Sequence, residues 1–369
     1  MDDIVSLRND SRVYTIALIP GDGVGPEITR EAVLTLKRAG EVYGRSFQFT
    51  EAIAGTAALD RGQCPLPRES LKTCLEADSI LMGKLAVGRH PGLKFEERPE
   101  SILGLLRTGL CLRSDIRPCF FAEALRELCP LKEEIRKKGM DILIIRDIAG
   151  GMFTTEGKSS NLCNVRAAWD TESYDETLIR DSARLAFQLA ASRKRKVTSL
   201  DKAILLSSSV LWRQILEETH RDYPEIELEH MLVDHGALKL VSSPDAFDVI
   251  VASNVFGDII ADEAAGLTGA GEFLPDGSLN AERKGIYCPN QLHQVNEELA
   301  GTGRANPVGM ILAAAMMLEY SFGLVREAEG MKRAVSIVME QGIHGRPCWS
   351  GGEQTADTAA IGEAVRECL

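Results

Sequence analysis

Apolar and polar positions alternate in blocks along this chain. Residues 13–19 form a short continuous apolar run ended by Pro20, which fits a buried strand. A glycine-rich turn over 21–25 follows, then an amphipathic helix through Leu36 to about Tyr43. Pro26 suits the first turn of that helix, where a missing N–H costs nothing. The pattern next predicts a strand over 47–52, the tail of a helix over 71–77 and a strand over 79–83. Residues 89–98 carry prolines, glycine and charge and read as a loop. A buried strand is predicted over 141–147, ending at Gly150-Gly151, then a long helix over 175–195 and a return to strand over 196–203. A helix over 210–220 and strands over 226–233 and 249–252 come next, and Asn306-Pro307 opens a helix over 308–322. Gly257 interrupts the apolar run before it, which predicts a helix beginning at or near Asp258. This strand–helix alternation is the signal of an α/β layer architecture. No internal repeat or low-complexity tract interrupts it.

A chain of 369 residues exceeds one ordinary core, so two domains are expected. Apolar content of 44% and charged content of 26% are those of a globular protein. The net charge of -12 argues against nucleic-acid or anionic-membrane binding, which needs a basic face. A local arginine cluster can still override that sign for a small anion. The start, Met1-Asp2-Asp3, is acidic and lacks a leader pattern. The longest apolar helical stretch, 308–318, is too short to span a bilayer and ends at Glu319. Nine scattered cysteines, odd in number and without C-x-x-C, suit reduced thiols and a cytoplasmic setting. The six histidines show no metal-ligand spacing.

Asp258 and Asp262 are four apart, so a helix places both carboxylates on one face. Such a pair repels unless a cation lies between, and hard cations such as Mg²⁺ or Mn²⁺ prefer oxygen ligands. The plainer alternative is a solvated, dipole-favoured helix start. The glycine turn offers a phosphate-binding backbone, and equally a tight strand-to-helix turn. Arg107, Arg113 and Arg117 lie close in sequence, and Arg146 ends a separate strand. Guanidinium forks bind carboxylates bidentately, so their convergence predicts a di- or tri-acid substrate, against the alternative of surface ion pairs. Lys202 follows a strand; beside a cation-bound hydroxyl such a lysine acts as a base, and elsewhere it is merely solvated. Asp234 ends a predicted strand, a position used both for turns and for ligands in α/β enzymes.

Taken in order, these motifs resemble the β-hydroxyacid oxidative decarboxylases, the family of 3-isopropylmalate and isocitrate dehydrogenases, with the isopropylmalate branch nearest. The pieces run from Leu18-Ile19-Pro20-Gly21-Asp22-Gly23-Val24-Gly25-Pro26-Glu27 through Arg98-Pro99-Glu100, Leu106-Arg107, Ile116-Arg117-Pro118 and Ile145-Arg146 with Gly150-Gly151. They continue through Val197-Thr198-Ser199-Leu200-Asp201-Lys202-Ala203 and Phe256-Gly257-Asp258-Ile259-Ile260-Ala261-Asp262-Glu263, and close with His293, Gly301, Gly303 and Ala305-Asn306-Pro307. The resemblance implies an α/β fold of isopropylmalate dehydrogenase type, not a true Rossmann fold. It has two domains, the first discontinuous (1–112 with 270–369) and the second, for dimerisation and metal binding, over 113–269. It implies a homodimer with shared active sites, into which Lys202 and Asp234 reach from the partner. Arg107, Arg117 and Arg146 would clamp a malate, and Leu103 would meet its third substituent, favouring an alkyl or aryl group. Asp234, Asp258 and Asp262 would hold Mg²⁺ or Mn²⁺, and Lys202 would serve as base together with Asp234. His293, Glu298, Leu299 and Asn306 would contact the dinucleotide, with Glu298 favouring NAD over NADP.

The chain also departs from that pattern. Phe153 stands where the family has a tyrosine that protonates the enolate carbon, a contribution usually worth about a hundredfold to ten-thousandfold. The family's His-Gly-Ser-Ala-Pro-Asp-Ile-Ala-Gly loop reads here His293-Gln294-Val295-Asn296-Glu297-Glu298-Leu299-Ala300-Gly301. Cys288-Pro289-Asn290 stands near a usual Glu-Pro, and Arg113-Ser114-Asp115 replaces an aromatic-Ala-Asn. Two expectations follow. One is a dehydrogenase acting on a 3-substituted malate; the other is a catalytically weak or silent homologue serving as a regulatory or structural subunit.

Overall fold

The computed structural model describes residues 12–87, 92–155, 157–162, 165–290, 292–343 and 356–369. The acidic start at residues 1–3, with Arg89, His90, Cys163, His344 and Cys348, lies outside the described residues. Among the described residues there are twelve strands: β1 Val13–Gly21, β2 Ser46–Glu51, β3 Ser79–Lys84, β4 Ser114–Phe120, β5 Asp141–Asp147, β6 Lys158–Leu162, β7 Val165–Trp169, β8 Lys196–Asp201, β9 Glu227–Leu232, β10 Val249–Ala252, β11 Pro275–Leu279 and β12 Gly285–Pro289. The chain divides into two compact units, Met1–Leu106 with Lys284–Leu369, and Arg107–Arg283. The sequence reading puts the exchanges near 112 and 269. The second unit's wider span follows from β11, which pairs antiparallel with β4.

In the first unit the strands run parallel in the order β2-β1-β3-β12. The helix Val308–Tyr320 packs on β12, β3 and the helix Gly25–Tyr43. Eleven consecutive residues of it, Val308 to Leu318, are buried. The apolar run noted in the sequence is therefore a core helix, hydrophobic on every side because every side is covered. No helix among the described residues is long and apolar enough to cross a membrane.

The second unit carries the order β11-β4-β5-β10-β8-β9. β4 pairs antiparallel with both β11 and β5, while β5, β10, β8 and β9 run parallel. This mixed sheet agrees with the expected fold type and differs from an all-parallel Rossmann sheet. Helix Asn254–Leu267 packs on β4 and β5. Its small residues Ala261, Ala264 and Ala265 join Ile142, Ile144, Leu200 and Ile250 in the core. The opposite face of that helix is left to Asp258, Ile259 and Asp262. Strands β6 and β7 form a separate two-stranded hairpin. Such a ribbon is marginal by itself in water.

The helix expected to begin at or near Asp258 starts earlier. The helix begins at Asn254, four residues before Asp258, and Gly257 lies inside it. A Cβ on Gly257 would stand 2.8 Å from both Cβ and Cγ of Arg146. The glycine serves a close side-chain approach, not a break. The long helix predicted over 175–195 is Glu176–Ala191, capped by the Asp175 carboxylate on the amides of Thr177 and Leu178.

At the end of β5, Asp147 is fully buried and accepts from the amides of Ala149 and Gly150 at 3.1 and 2.7 Å. Burial pushes its carboxyl up from 3.8 to about 6 despite those bonds. Between these values the folded protein holds a proton that the unfolded chain has released. Its contribution to stability therefore falls as pH rises through that window, and the full cost, about 3 kcal/mol, stands above pH 6. Asp147→Asn should gain on the wild type by up to roughly 3 kcal/mol between about pH 4 and pH 7. Urea denaturation of both proteins across that range measures the gap. A gap that does not change with pH refutes the assignment.

Candidate active site

The sheet register builds an ionic row in the second unit. Asp115 on β4 stands opposite Arg146 on β5 and opposite Ser278 on β11. Arg117, two residues along β4, shares the face of Asp115 because side chains alternate along a strand. Arg107, near the end of the helix Ser101–Gly109, reaches the same row. Its Nη2 lies 3.1 and 3.0 Å from the two oxygens of Asp115. The Ser278 hydroxyl also donates to Asp115. Arg117 contacts four carboxylates: Asp262 at 3.0 Å, Asp276 at 3.2 Å, Asp115 at 3.5 Å and Asp258 at 3.6 Å. Arg146 donates to the Asn254 side-chain oxygen at 3.0 and 2.8 Å and to Asp258. The three arginines proposed from the sequence as a clamp thus converge. Arg113 does not join them; it faces Asp181 at 3.9 Å.

Burial and charge act against each other here. Burial raises the Asp115 carboxyl, but the guanidinium groups of Arg107, Arg117 and Arg146 outweigh it and hold it below the usual range. Asp276 goes the other way: burial, reinforced by the charge of Asp115, raises it. Its Oδ1 is buried without a hydrogen-bond partner. Burial also lowers Arg146, while the surrounding acids raise Arg117 against its own burial.

Asp258 and Asp262 sit one turn apart, as expected, on a face that reaches solvent: their side chains are 37% and 70% exposed. Two accessible carboxylates on one helix face are a donor set that suits a hard divalent cation. Asp234 is not with them. It lies in the first turn of the helix Val233–Ser242, and β9 ends earlier, at Leu232, so Asp234 does not close a strand. There its carboxylate accepts from Lys202 Nζ, a bond that lowers its pKa. Lys202 follows β8, with its amide on Ser209 Oγ at 3.1 Å. Among the described residues of one chain, no three His, Cys, Asp or Glu side chains stand together as a metal set.

Phe153 is exposed, and the Arg146 guanidinium lies 6.0 Å from its ring centre. Beneath this turn, Tyr174 Oη accepts from the Asn254 amide at 2.7 Å. A Cβ on Gly150 would fall 2.5 Å from the Tyr174 ring, and Gly151 takes φ +80°. The Asn254 side-chain Nδ2 donates to Gly150 O at 2.8 Å, and its Oδ1 accepts from Arg146, so this side chain joins the turn to Arg146. The sequence reading missed Asn254, Ser278 and Asp276. For Asp115, the two-residue spacing from Arg117 was a usable signal.

In the first unit the glycine turn is a packed junction. The amides of Asp22, Val24 and Gly25 donate to the carbonyls of Lys84, Val295 and Asp22. A Cβ on Gly23, at φ +58°, would fall 2.1 Å from Val295 O. Of the two readings of this turn, the tight strand-to-helix connection holds, since those amides are already used. The turn grips the 293–303 loop through Val24 and through Glu27, which accepts from the Gly303 amide at 3.2 Å. On that loop His293 and Glu298 are exposed and Leu299 is half-buried. Glu298, on a short 3₁₀ turn, presents a carboxylate suited to a ribose. Asn306 is half-buried and caps the following helix, accepting from the Val308 amide at 3.0 Å. Leu103 is half-buried, one helical turn before Arg107.

Comparison with known proteins agrees with this architecture. The sequence model of the isocitrate/isopropylmalate dehydrogenase family matches residues 15–365. A 3-isopropylmalate dehydrogenase of Clostridium acetobutylicum is 41% identical over 352 residues, covering 95% of this chain and 98% of that protein. One from Pseudomonas syringae pv. syringae is 41% identical over 356 residues, covering 96% and 98%. Among solved structures, isocitrate dehydrogenase from Methylococcus capsulatus superposes with TM-score 0.82 at 29% identity, over 96% of this chain and 99% of that one. A beta-decarboxylating dehydrogenase from Thermococcus kodakarensis gives TM-score 0.78 at 26% identity, over 96% of each. With a match of this length and a mixed sheet carrying converging arginines and aspartates, the chain belongs to the isocitrate/isopropylmalate dehydrogenase family, a family of dehydrogenases.

Proposed function

We propose that this protein carries out the NAD-linked, metal-dependent oxidative decarboxylation of a 3-substituted malate, 3-isopropylmalate or a related 3-alkyl- or 3-arylmalate. The observation that carries the reading is the convergence of Arg107, Arg117 and Arg146 beside the Asp258–Asp262 pair. Three guanidinium groups offer forks to a small polyacid, and the aspartates offer oxygens for its counter-cation. The names of the relatives from Clostridium and Pseudomonas support the substrate class.

Asp258 and Asp262, with Asp234 of a second copy, would hold Mg²⁺ or Mn²⁺, which when bound lowers the pKa of the substrate's C2 hydroxyl and stabilises negative charge on the decarboxylated product. NAD, the hydride acceptor when bound, would be held by His293, Glu298, Leu299 and Asn306. The arginines orient the two carboxylates, so that the C3 carboxylate leaves as CO₂ with its bonding electrons remaining on carbon. Lys202 takes the hydroxyl proton as the neutral amine, after its pair with Asp234 has opened and the ammonium has released its own proton to solvent. Leu103 gives the C3 substituent an apolar contact.

A homodimer with shared sites is part of this proposal. Ile204, Leu205 and Leu238, close in sequence to Lys202 and Asp234, are 66%, 73% and 68% exposed, and Ile259 beside Asp258 is 62% exposed. Exposed aliphatic side chains beside these charged residues suit a surface that a second copy would cover. A second reading, a silent regulatory or structural homologue, draws on Phe153, whose exposed ring has no proton to give.

Three outcomes test these statements. Asp258→Asn should abolish Mn²⁺-dependent NADH formation across a panel of 3-alkyl- and 3-arylmalates; equal activity in wild type and variant, or full activity in chelator, refutes the metal role. Lys202→Met and Asp258→Asn, each inactive alone, should recover about a quarter of wild-type activity after mixed refolding, because half the dimers then hold one intact site. No recovery means that Lys202 acts within its own chain. Phe153→Tyr should raise turnover by tenfold or more, on the order of one acid–base contribution, if carbon protonation limits the rate. An unchanged rate shows that another group already delivers the proton.

A further inference from the structure

We propose that Asp115 is a tethered competitor for the substrate's carboxylate, and that it sets how tightly this protein holds a dicarboxylate. The proposal rests on the reading above that the arginine cluster receives the substrate's acid groups. Asp115 is fully buried, yet it carries a charge-assisted bond from Arg107 to each of its oxygens at 3.1 and 3.0 Å. The Ser278 hydroxyl donates to it as well, and Arg117 lies 3.5 Å away. Both bonds come from the one nitrogen Nη2, so Asp115 occupies one prong of the fork that a ligand carboxylate would use.

Asp276 adds to the effect. It is a second buried acid, 3.2 Å from Arg117 Nε, with one oxygen unpartnered. Three guanidinium groups therefore face two buried carboxylates even before Asp258 and Asp262 are considered. A dianionic ligand must displace Asp115 from Arg107 or settle beside it, and a like charge at contact distance costs affinity. A tethered carboxylate cannot diffuse away, so its local concentration is far above that of free ligand. Asp115 thus acts on ligand charge: the penalty grows with the number of carboxylates the ligand carries.

The test is calorimetric titration of 3-isopropylmalate, and of lactate as a monocarboxylate, into wild type and Asp115→Asn with Mn²⁺ present. The dicarboxylate should bind Asp115→Asn at least about tenfold more tightly, with a smaller gain for the monocarboxylate. Because Asp115→Asn leaves buried guanidinium groups short of a counter-charge, the same change is also made in an Arg107→Gln background, where the two charges leave together. There the gain should shrink below about threefold, the signature of coupling through that one pair. Equal or weaker binding by folded Asp115→Asn overturns the proposal and makes Asp115 a positioning residue for Arg107. A gain of equal size for both ligands, or one that survives in the Arg107→Gln background, overturns it too. If the dicarboxylate binds none of these proteins, the cluster is only an internal ion network, and the functional reading falls with the inference.

Discussion

Arg117 is the constraint on which the second unit's chemistry depends. A guanidinium that is 14% exposed and touches four carboxylates cannot be removed without leaving several acids short of a partner. It also fixes geometry. Its neighbours come from β4, β11 and the helix Asn254–Leu267, so one planar cation holds two strands and a helix in register. Arg146 repeats the arrangement from β5 through Asn254 and Asp258. The acids that would receive a cation are thus the same acids that balance the arginines. Ligand entry here must exchange one set of ion pairs for another.

Much of the fold was legible because buried parallel strands read as continuous apolar runs. That holds for β1, β3, β5 and β10, each bounded by a charge, a glycine or a proline. β4 and β11 were not legible, for a physical reason. Their sequences, Ser-Asp-Ile-Arg-Pro-Cys-Phe and Pro-Asp-Gly-Ser-Leu, put charged residues and proline at covered positions. Only the cross-strand ion row makes such burial affordable, and a row is invisible in one dimension. The same blindness misplaced the start of the helix at Asn254, since nothing in the chain signals that Gly257 has to clear the stem of Arg146.

The site shows a similar division. Residue type and spacing singled out Asp258 with Asp262, and the arginines, because those signals lie within one helix face or in a known affinity for carboxylates. The surrounding network of Asn254, Ser278 and Asp276 carries no local pattern. The glycine turn shows the reverse case, where a pattern suggested ligand chemistry and packing accounts for it. Its amides are spent on carbonyls of the protein itself, and what they secure is the loop that bears His293 and Glu298. Those glycines serve the cofactor reading at one remove, by fixing the loop.

The interruption of the first unit has a bearing on biosynthesis. Its sheet needs β12, which follows the whole of the second unit along the chain. During translation the first 106 residues emerge with one border of their sheet unfilled, whereas residues 107–283 carry all the strands of their own unit before β12 leaves the ribosome. Nascent chains should therefore gain protease resistance first in their middle. The amino-terminal segment waits for its missing strand.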